Sequence, residues 1–242
     1  MDIAIIGHGR MGQKIMEVSS SHSVRISQVI SNKLDLERAK FHPKEVAIEF
    51  TEPSACLDNL RILSSKNVTT ICGTTGWYEN IDNVKEMYFK RAGFLHAANF
   101  SIGVNIFWHI LKSAARTINQ FPDYDVSIHE THHNKKKDCP SGTAIATGDI
   151  ILQGIDKKKR LITNIADKTI DPEEVHISYS RSGNTIGEHE VTFAGSMDSI
   201  KILHQSTDRA TYAHGAIKCA KWLQNKKGFH SMESYIKHIL HV

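Results

Sequence analysis

Cysteine is scarce and unpatterned: Cys56, Cys72, Cys139 and Cys219 lie far apart with no CxxC spacing. That disfavours a disulfide framework or a cysteine-based zinc module and reads as free thiols in a reducing compartment. No uninterrupted apolar run approaches the ~18–20 residues that span a bilayer, so no membrane partner is expected. The opening MDIAIIGHGRMG has no basic n-region and no small-residue cleavage site, so it reads as a strand entering a glycine turn, and a cytoplasmic location is expected. Only 5 of 242 residues are proline and 15 are glycine, which argues against fibrous or Pro-rich disordered chains. Neither sign of charge dominates: 30 Lys+Arg against 26 Asp+Glu leave +4. Such a balance permits an anionic ligand but gives no reason to expect nucleic acid.

What is present is globular composition, 40% hydrophobic and 23% charged, in a chain long enough for one large domain or two modest ones. In the first hundred residues, Ile3–Ile6, Val24–Ile30, Val46–Phe50 and Val68–Cys72 are short, uniformly apolar and rich in Ile and Val. They read as strands buried on both faces of a parallel sheet. Met11–Ser20, Ser54–Ser65 and Ile81–Arg91 carry apolar residues at helical spacing between them, and βαβα order implies a doubly wound α/β sheet. The link from Ile30 to Val46 is short and charged, so its crossover helix should be stunted. Beyond Ser101 the pattern changes. One long helix is expected over Ile102–Phe121, then strands with one wet face at Tyr124–His132, Val175–Arg181, Glu188–Ala194 and Ser199–Ser206. Helices are expected at Thr143–Leu152, Asp208–Leu223 and Met232–Leu240. The expected architecture is therefore a nucleotide-binding α/β domain followed by an α+β domain with a mixed sheet.

Gly7-His8-Gly9-Arg10-Met11-Gly12 is a GxGxxG turn directly after a strand and at the mouth of a helix. The first glycine permits the tight turn, the second lets backbone approach a pyrophosphate, and the third lets helix pack close to strand. The helix-start amides then face the phosphates. The acid expected ~20 residues on, which holds the ribose diol in NAD-binding turns, is missing: that position reads Ile30-Ser31-Asn32-Lys33. Lys33 faces a 2′-phosphate in one reading and is a solvated loop lysine in the other.

The stretch from His129 to Thr143, HETHHNKKKDCPSGT, is the second informative feature. Imidazoles that titrate near neutrality and several ammonium groups precede a Pro-Ser-Gly-Thr turn that opens a helix. Helix-start amides with lysine suit a substrate carboxylate, and imidazole suits proton transfer. A metal site on His129, His132 and His133 is disfavoured. Strand alternation puts His132 on the face opposite the other two, and no carboxylate or cysteine completes a ligand set at standard spacing.

With these motifs in hand, nearly the whole chain resembles the 4-hydroxy-tetrahydrodipicolinate reductase (dihydrodipicolinate reductase) family of lysine and diaminopimelate biosynthesis. The resemblance rests on GHGRMG, EFTEPSA at Glu49–Ala55, GTTG at Gly73–Gly76 and AANFSIGVN at Ala97–Asn105. It continues with HHNKKKDCPSGTA at His132–Ala144, SGNTIGEHEVTFAG at Ser182–Gly195 and DRATYAHGAIKCAKWL at Asp208–Leu223. It implies a Rossmann domain over residues 1–102, completed by 213–242, and a substrate-binding, tetramer-forming domain over 103–212. It implies cofactor contacts from the glycine turn, from Gly73, Thr74 and Thr75 by the nicotinamide, and from Ala97, Ala98, Asn99 and Phe100 on the other wall. It also implies His132 as proton donor or acceptor, Lys136 as a second proton donor, and His133, Gly142 and Thr143 as substrate contacts with Ser141 beside them.

The activity implied is NAD(P)H-dependent reduction of a cyclic, dianionic imine in a homotetramer. Lys136 and the Gly142/Thr143 amides would clamp a carboxylate, and a hinge near Ser101–Val104 would close for transfer. Departures from the family pattern are Glu49 for aspartate, HHNKK for HHRHK with Lys135 in place of a histidine, and Cys139 for a small apolar residue, expected as a passive buried side chain. With Lys33 the only cation at the ribose position, both NADH and NADPH should work, NADPH favoured by at most about tenfold. The competing readings are another two-domain Rossmann reductase or dehydrogenase, and a non-catalytic NAD(P)-binding sensor. Neither requires the HHNKK and PSGT segments.

Overall fold

The computed structural model describes residues 1–165 and 169–241. Strand β1 (Asp2–Ile6) leads into helix α1 (Arg10–Ser19), followed by β2 (Arg25–Ile30), α2 (Lys33–Arg38), β3 (Val46–Glu49) and α3 (Pro53–Ser65). Then come β4 (Thr69–Cys72), α4 (Ile81–Tyr88), β5 (Gly93–His96), α5 (Ile102–Ile118), β6 (Asp125–His132) and α6 (Gly142–Gly154). Strands β7 (Arg160–Ile162), β8 (Glu174–Arg181), β9 (Gly187–Ala194) and β10 (Ser199–Ser206) precede α7 (Ala210–Leu223), β11 (Gly228–Ser231) and α8 (Met232–Leu240). The chain divides into two compact units, residues 1–102 with 210–242, and residues 103–209. Among the described residues no helix is long and apolar enough to cross a membrane.

The first unit holds a six-stranded sheet in the order β11-β5-β4-β3-β1-β2, and every pairing is parallel. β3 and β4 are buried along their whole length, which is why their sequences are nearly continuous apolar and threonine runs rather than alternations. Connection order reverses at β1, with β2 on one side and β3 on the other, and it is outside the carboxyl ends of strands at such a point that open α/β sheets bind ligands. Helix α7 joins the core of this unit through Ala213, Ala216, Ile217, Ala220 and Leu223, against Ile5, Ile48 and Ile71. Its alanine-rich face lets the helix approach closely, and full burial of Leu223 alone is worth roughly 1.5–3 kcal/mol. The stunted crossover is the six-residue α2, capped by Asn32, whose Oδ1 accepts from the Asp35 amide at 2.9 Å.

The second unit is a five-stranded sheet ordered β10-β9-β6-β8-β7, antiparallel at β10–β9 and β9–β6 and parallel at β6–β8 and β8–β7. This is the expected mixed sheet. α5 and α6 cover one face through Phe107, Leu111 and Ile151, packed on Val126, Ile128, Ile177, Val191 and Phe193. β6 accordingly alternates, burying Val126, Ile128, Glu130 and His132 while exposing Ser127 and His129. Two polar residues, Glu130 and His132, therefore sit on the buried face of a half-wet strand.

Candidate active site

In the first unit the predicted cofactor residues gather at the carboxyl ends of the parallel strands. Gly7 takes φ +102°, a left-handed conformation that favours glycine, and a Cβ there would lie 2.3 Å from the Phe50 carbonyl oxygen. At Gly12 a Cβ would lie 2.2 Å from the Gly7 oxygen, so the third glycine is fixed by helix–turn packing. Gly9 differs: a Cβ there would meet no atom within 4 Å. Among the described residues no neighbour demands glycine at that position, whereas a pyrophosphate passing over the first amides of α1 does, so the turn fits a dinucleotide. His8, Gly9 and Arg10 are exposed, Met11 is half-buried and Gly7 and Gly12 are buried. A cavity of about 360 Å³ opens beside this turn, lined by residues that include Gly7, Gly9, Ser31, Lys33, Thr51 and Asp58.

Thr74 ties two strand ends together, its Oγ1 accepting from the Thr51 amide at 2.8 Å and its carbonyl from Trp77 Nε1 at 2.7 Å. Gly73 is required by contact: a Cβ would fall 1.9 Å from the Phe50 ring. Thr75 and Ala98 are exposed, Ala97 and Phe100 are buried, and Asn99 Oδ1 accepts from the Ser101 amide at 2.8 Å. Below this cradle Glu49 is fully buried, with Oε2 3.5 Å from Cys56 Sγ and 3.3 Å from Cys72 Sγ. Burial pushes the Cys72 thiol well above its usual range, so it remains protonated and donates to Glu49. Glu49 also takes the Thr51 hydroxyl and an amide hydrogen of Asn59, so this group is satisfied as a hydrogen-bonded plug.

In the second unit the expected histidines separate. His129, on the exposed face, has Nδ1 2.7 Å from Ser178 Oγ. His133 lies beyond the last residue of β6, so the strand alternation that paired it with His129 does not reach it. His132 is buried against a partner that the sequence reading did not weigh. Its Nδ1 is 3.5 Å from Glu130 Oε2, and the same oxygen is 3.6 Å from His189 Nε2. The other carboxylate oxygen accepts from the Ser141 amide at 3.1 Å and from Arg181 Nη2 at 3.3 Å. Strand pairing brings these groups together: Glu130 stands opposite His189 on β9, and His132 opposite Arg181 on β8. The signal for Glu130 was its two-residue spacing from His132 on a face otherwise apolar, but His189 and Arg181 needed the register.

Burial would push the Glu130 carboxyl up, but hydrogen bonds from His189 and Ser141 outweigh it and leave the group at about 2. Burial holds His132 down at about 4, with Glu130 acting in the opposite direction. In this structure its imidazole is therefore neutral near pH 7. Glu130, His132 and His189 are close enough to surround an ion. The Arg181 guanidinium and the Ser141 amide already satisfy one oxygen of that carboxylate, and a second cation there would meet the arginine's repulsion, so the donor set fits an internal network better than a metal.

Ser141 is a buried helix cap, its Oγ accepting from the Ala144 amide at 3.1 Å at the start of α6. Gly142 is exposed, Thr143 is half-buried, and a Cβ on Gly142 would meet nothing within 4 Å, so there is space for a ligand at the first residue of α6. Lys136 Nζ is bonded to both oxygens of Asp138, at 2.9 and 2.8 Å, a pairing that the sequence reading did not anticipate. Cys139 is an exposed free thiol rather than the buried side chain expected, because it sits in the loop before α6 with Lys137 and Asp138, which are exposed with it.

Residues 1–100 match the family described as dihydrodipicolinate reductase, N-terminus, and residues 103–236 match dihydrodipicolinate reductase, C-terminus. The chain belongs to the dihydrodipicolinate reductase family. A 4-hydroxy-tetrahydrodipicolinate reductase of Christiangramia forsetii is 34% identical over 237 residues, 98% of each chain. Another from Pelagibacter ubique is 33% identical over 256 residues, again 98% of each chain. Among solved structures, dipicolinate-bound dihydrodipicolinate reductase from Paenisporosarcina sp. TG-14 superposes with TM-score 0.76 at 22% identity, covering 96% of this chain and 97% of that one. At that identity the likeness shows the α/β fold with its second mixed-sheet unit. Members of the dihydrodipicolinate reductase family are NAD(P)H-dependent oxidoreductases, and the glycine turn of this chain fits that cofactor.

Proposed function

We infer that the protein reduces 4-hydroxy-tetrahydrodipicolinate to tetrahydrodipicolinate with NADH or NADPH, in the diaminopimelate route to lysine. The observation that carries this reading is the conjunction of a buried His132–Glu130 pair with the exposed Gly142 at the start of α6 and Lys136 in one unit of a family member. Bound nicotinamide supplies the hydride. Glu130 faces the Nδ1 side of His132 at 3.5 Å, leaving Nε2 for substrate. The amides of Gly142 and Thr143 and the ammonium of Lys136 bind the substrate's carboxylates, which requires Lys136 to exchange Asp138 for substrate. His133 adds a further polar contact.

His132 is neutral in the absence of substrate, and a dianion beside it raises its proton affinity, so it becomes a proton donor when the substrate is in place. Loss of the 4-hydroxyl as water leaves a conjugated cyclic imine; hydride adds to its ring carbon, and the resulting enamine takes a proton from His132. A positioned acid of this kind contributes ~10²–10⁴ in rate. The first unit serves the dinucleotide and the second the substrate.

Homotetramer formation through the second unit is supported by its edge strand β10, where Ile200 and Leu203 are exposed beside Met197. Four free cysteines and a biosynthetic role support a cytoplasmic location. The test is loss of nicotinamide absorbance when purified protein meets substrate generated in a coupled assay. Absence of turnover with either cofactor would overturn the reading.

A further inference from the structure

The cavity beside the glycine turn contains an ion pair with no part in the chemistry above. Lys33 Nζ, at the start of α2, donates to Asp58 Oδ2 at 2.7 Å, and Arg61, further along α3, donates to Asp58 Oδ1 at 2.9 Å. Lys33, Asp58 and Glu52 all line that cavity. Asn32, beside Lys33, is committed to α2: besides its cap, Nδ2 donates to Asp35 Oδ2 at 2.7 Å. The carboxylate missing from the end of β2 is thus supplied in space by α3. Neither its sequence position nor its helix matches the usual pattern, so only the fold reveals it.

We propose that Asp58 is the specificity-determining residue for the adenosine ribose: it offers an acceptor to the ribose hydroxyls, holds Lys33 away from a 2′-phosphate, and biases the protein toward NADH. The proposal rests on the reading that the first unit binds NAD(P)H. Its physical basis is charge. A neutral diol needs an acceptor, which Asp58 supplies as the acid after β2 does in other NAD sites. A 2′-phosphate brings about two negative charges, meets the Asp58 and Glu52 carboxylates that line the cavity, and finds Lys33 and Arg61 both already paired with Asp58. The pair is partly exposed, with side chains 57% and 43% accessible, so solvent reduces the discrimination to a moderate factor. The modest NADPH preference expected from Lys33 alone is accordingly reversed.

The test is titration of the intact protein with NADH and NADPH, followed by nicotinamide fluorescence, for wild type, Asp58→Asn, Lys33→Met and the double substitution. Wild type should bind NADH more tightly. Asp58→Asn should shift the affinity ratio toward NADPH by about tenfold, and Lys33→Met alone should move it by less than about twofold because that lysine is already held. In the Lys33→Met background, the Asp58→Asn shift should fall to about threefold, the part due to removed repulsion. An Asp58→Asn ratio unchanged from wild type overturns the proposal, as does a loss of NADPH affinity above about fivefold in Lys33→Met alone. If neither cofactor binds wild type, the dinucleotide reading itself falls; if both bind with an unaltered ratio in Asp58→Asn, only the assignment of Asp58 falls.

Discussion

Replacing Glu130 by glutamine tests the proton-donor arrangement without changing side-chain shape. The carboxylate is fully buried and lies 3.5 Å from His132 Nδ1. At an effective dielectric of ~20, Coulomb's law gives roughly 4–5 kcal/mol for a full charge pair at that separation, about three and a half pKa units as an upper bound. The amide dipole of glutamine and the nearby Arg181 recover part of this, so a fall of about one to two units in the pKa of His132 is expected. The kcat–pH profile reports ionisations in the substrate complex, and its basic limb should move to lower pH by that amount, with kcat near neutrality down about 10–100-fold. KM should change little, since Glu130 does not touch substrate.

Stability provides the control. Arg181 keeps the Ser180 and Asp138 carbonyls, at 2.9 and 2.8 Å, so the variant should lose about 2 kcal/mol and a few degrees in Tm while remaining folded. Because the Glu130 pKa is depressed to about 2, this stabilisation is complete above its unfolded value near ~4.3 and disappears as pH falls through 2. The difference in Tm between wild type and variant should shrink over that window. A folded variant with an unmoved basic limb and kcat within about threefold of wild type would refute the role given to Glu130.

His132→Gln and Lys136→Ala should each lower kcat by about 10²–10⁴ with cofactor affinity unchanged, as steady-state kinetics beside cofactor titration would show. Gly9→Ala should fold with wild-type Tm yet bind cofactor about tenfold or more weakly, because the added methyl enters space that the protein itself leaves open. Gly12→Ala, whose methyl would meet the Gly7 oxygen at 2.2 Å, should instead fail in stability, and thermal melts would separate the two. Sedimentation should give a tetramer that Leu203→Glu dissociates; a wild-type monomer at micromolar concentration would defeat that expectation.

Local chemistry determined much of this protein. The turn after β1, the parallel strands and the half-wet strands of the second unit were legible because hydrophobic period and glycine placement are properties of short segments. The HHNKK and PSGT segments, read with the other motifs, carried the family resemblance, and the matches over residues 1–100 and 103–236 agree with it. Three short strands were not legible. β5 and β11 are as long as β3 and β4 but lack their β-branched residues, β7 has only three residues, and all three exist because neighbouring strands offer them hydrogen-bonding edges. Two charge relationships also escaped, for the same reason. Glu130 gains meaning only from His189 and Arg181 on adjacent strands, and Asp58 reaches Lys33 from another helix, 25 residues along the chain. A lone carboxylate in a sequence has no sign of partnership; its pKa and its role follow from which charges the tertiary structure sets within a few ångströms of it.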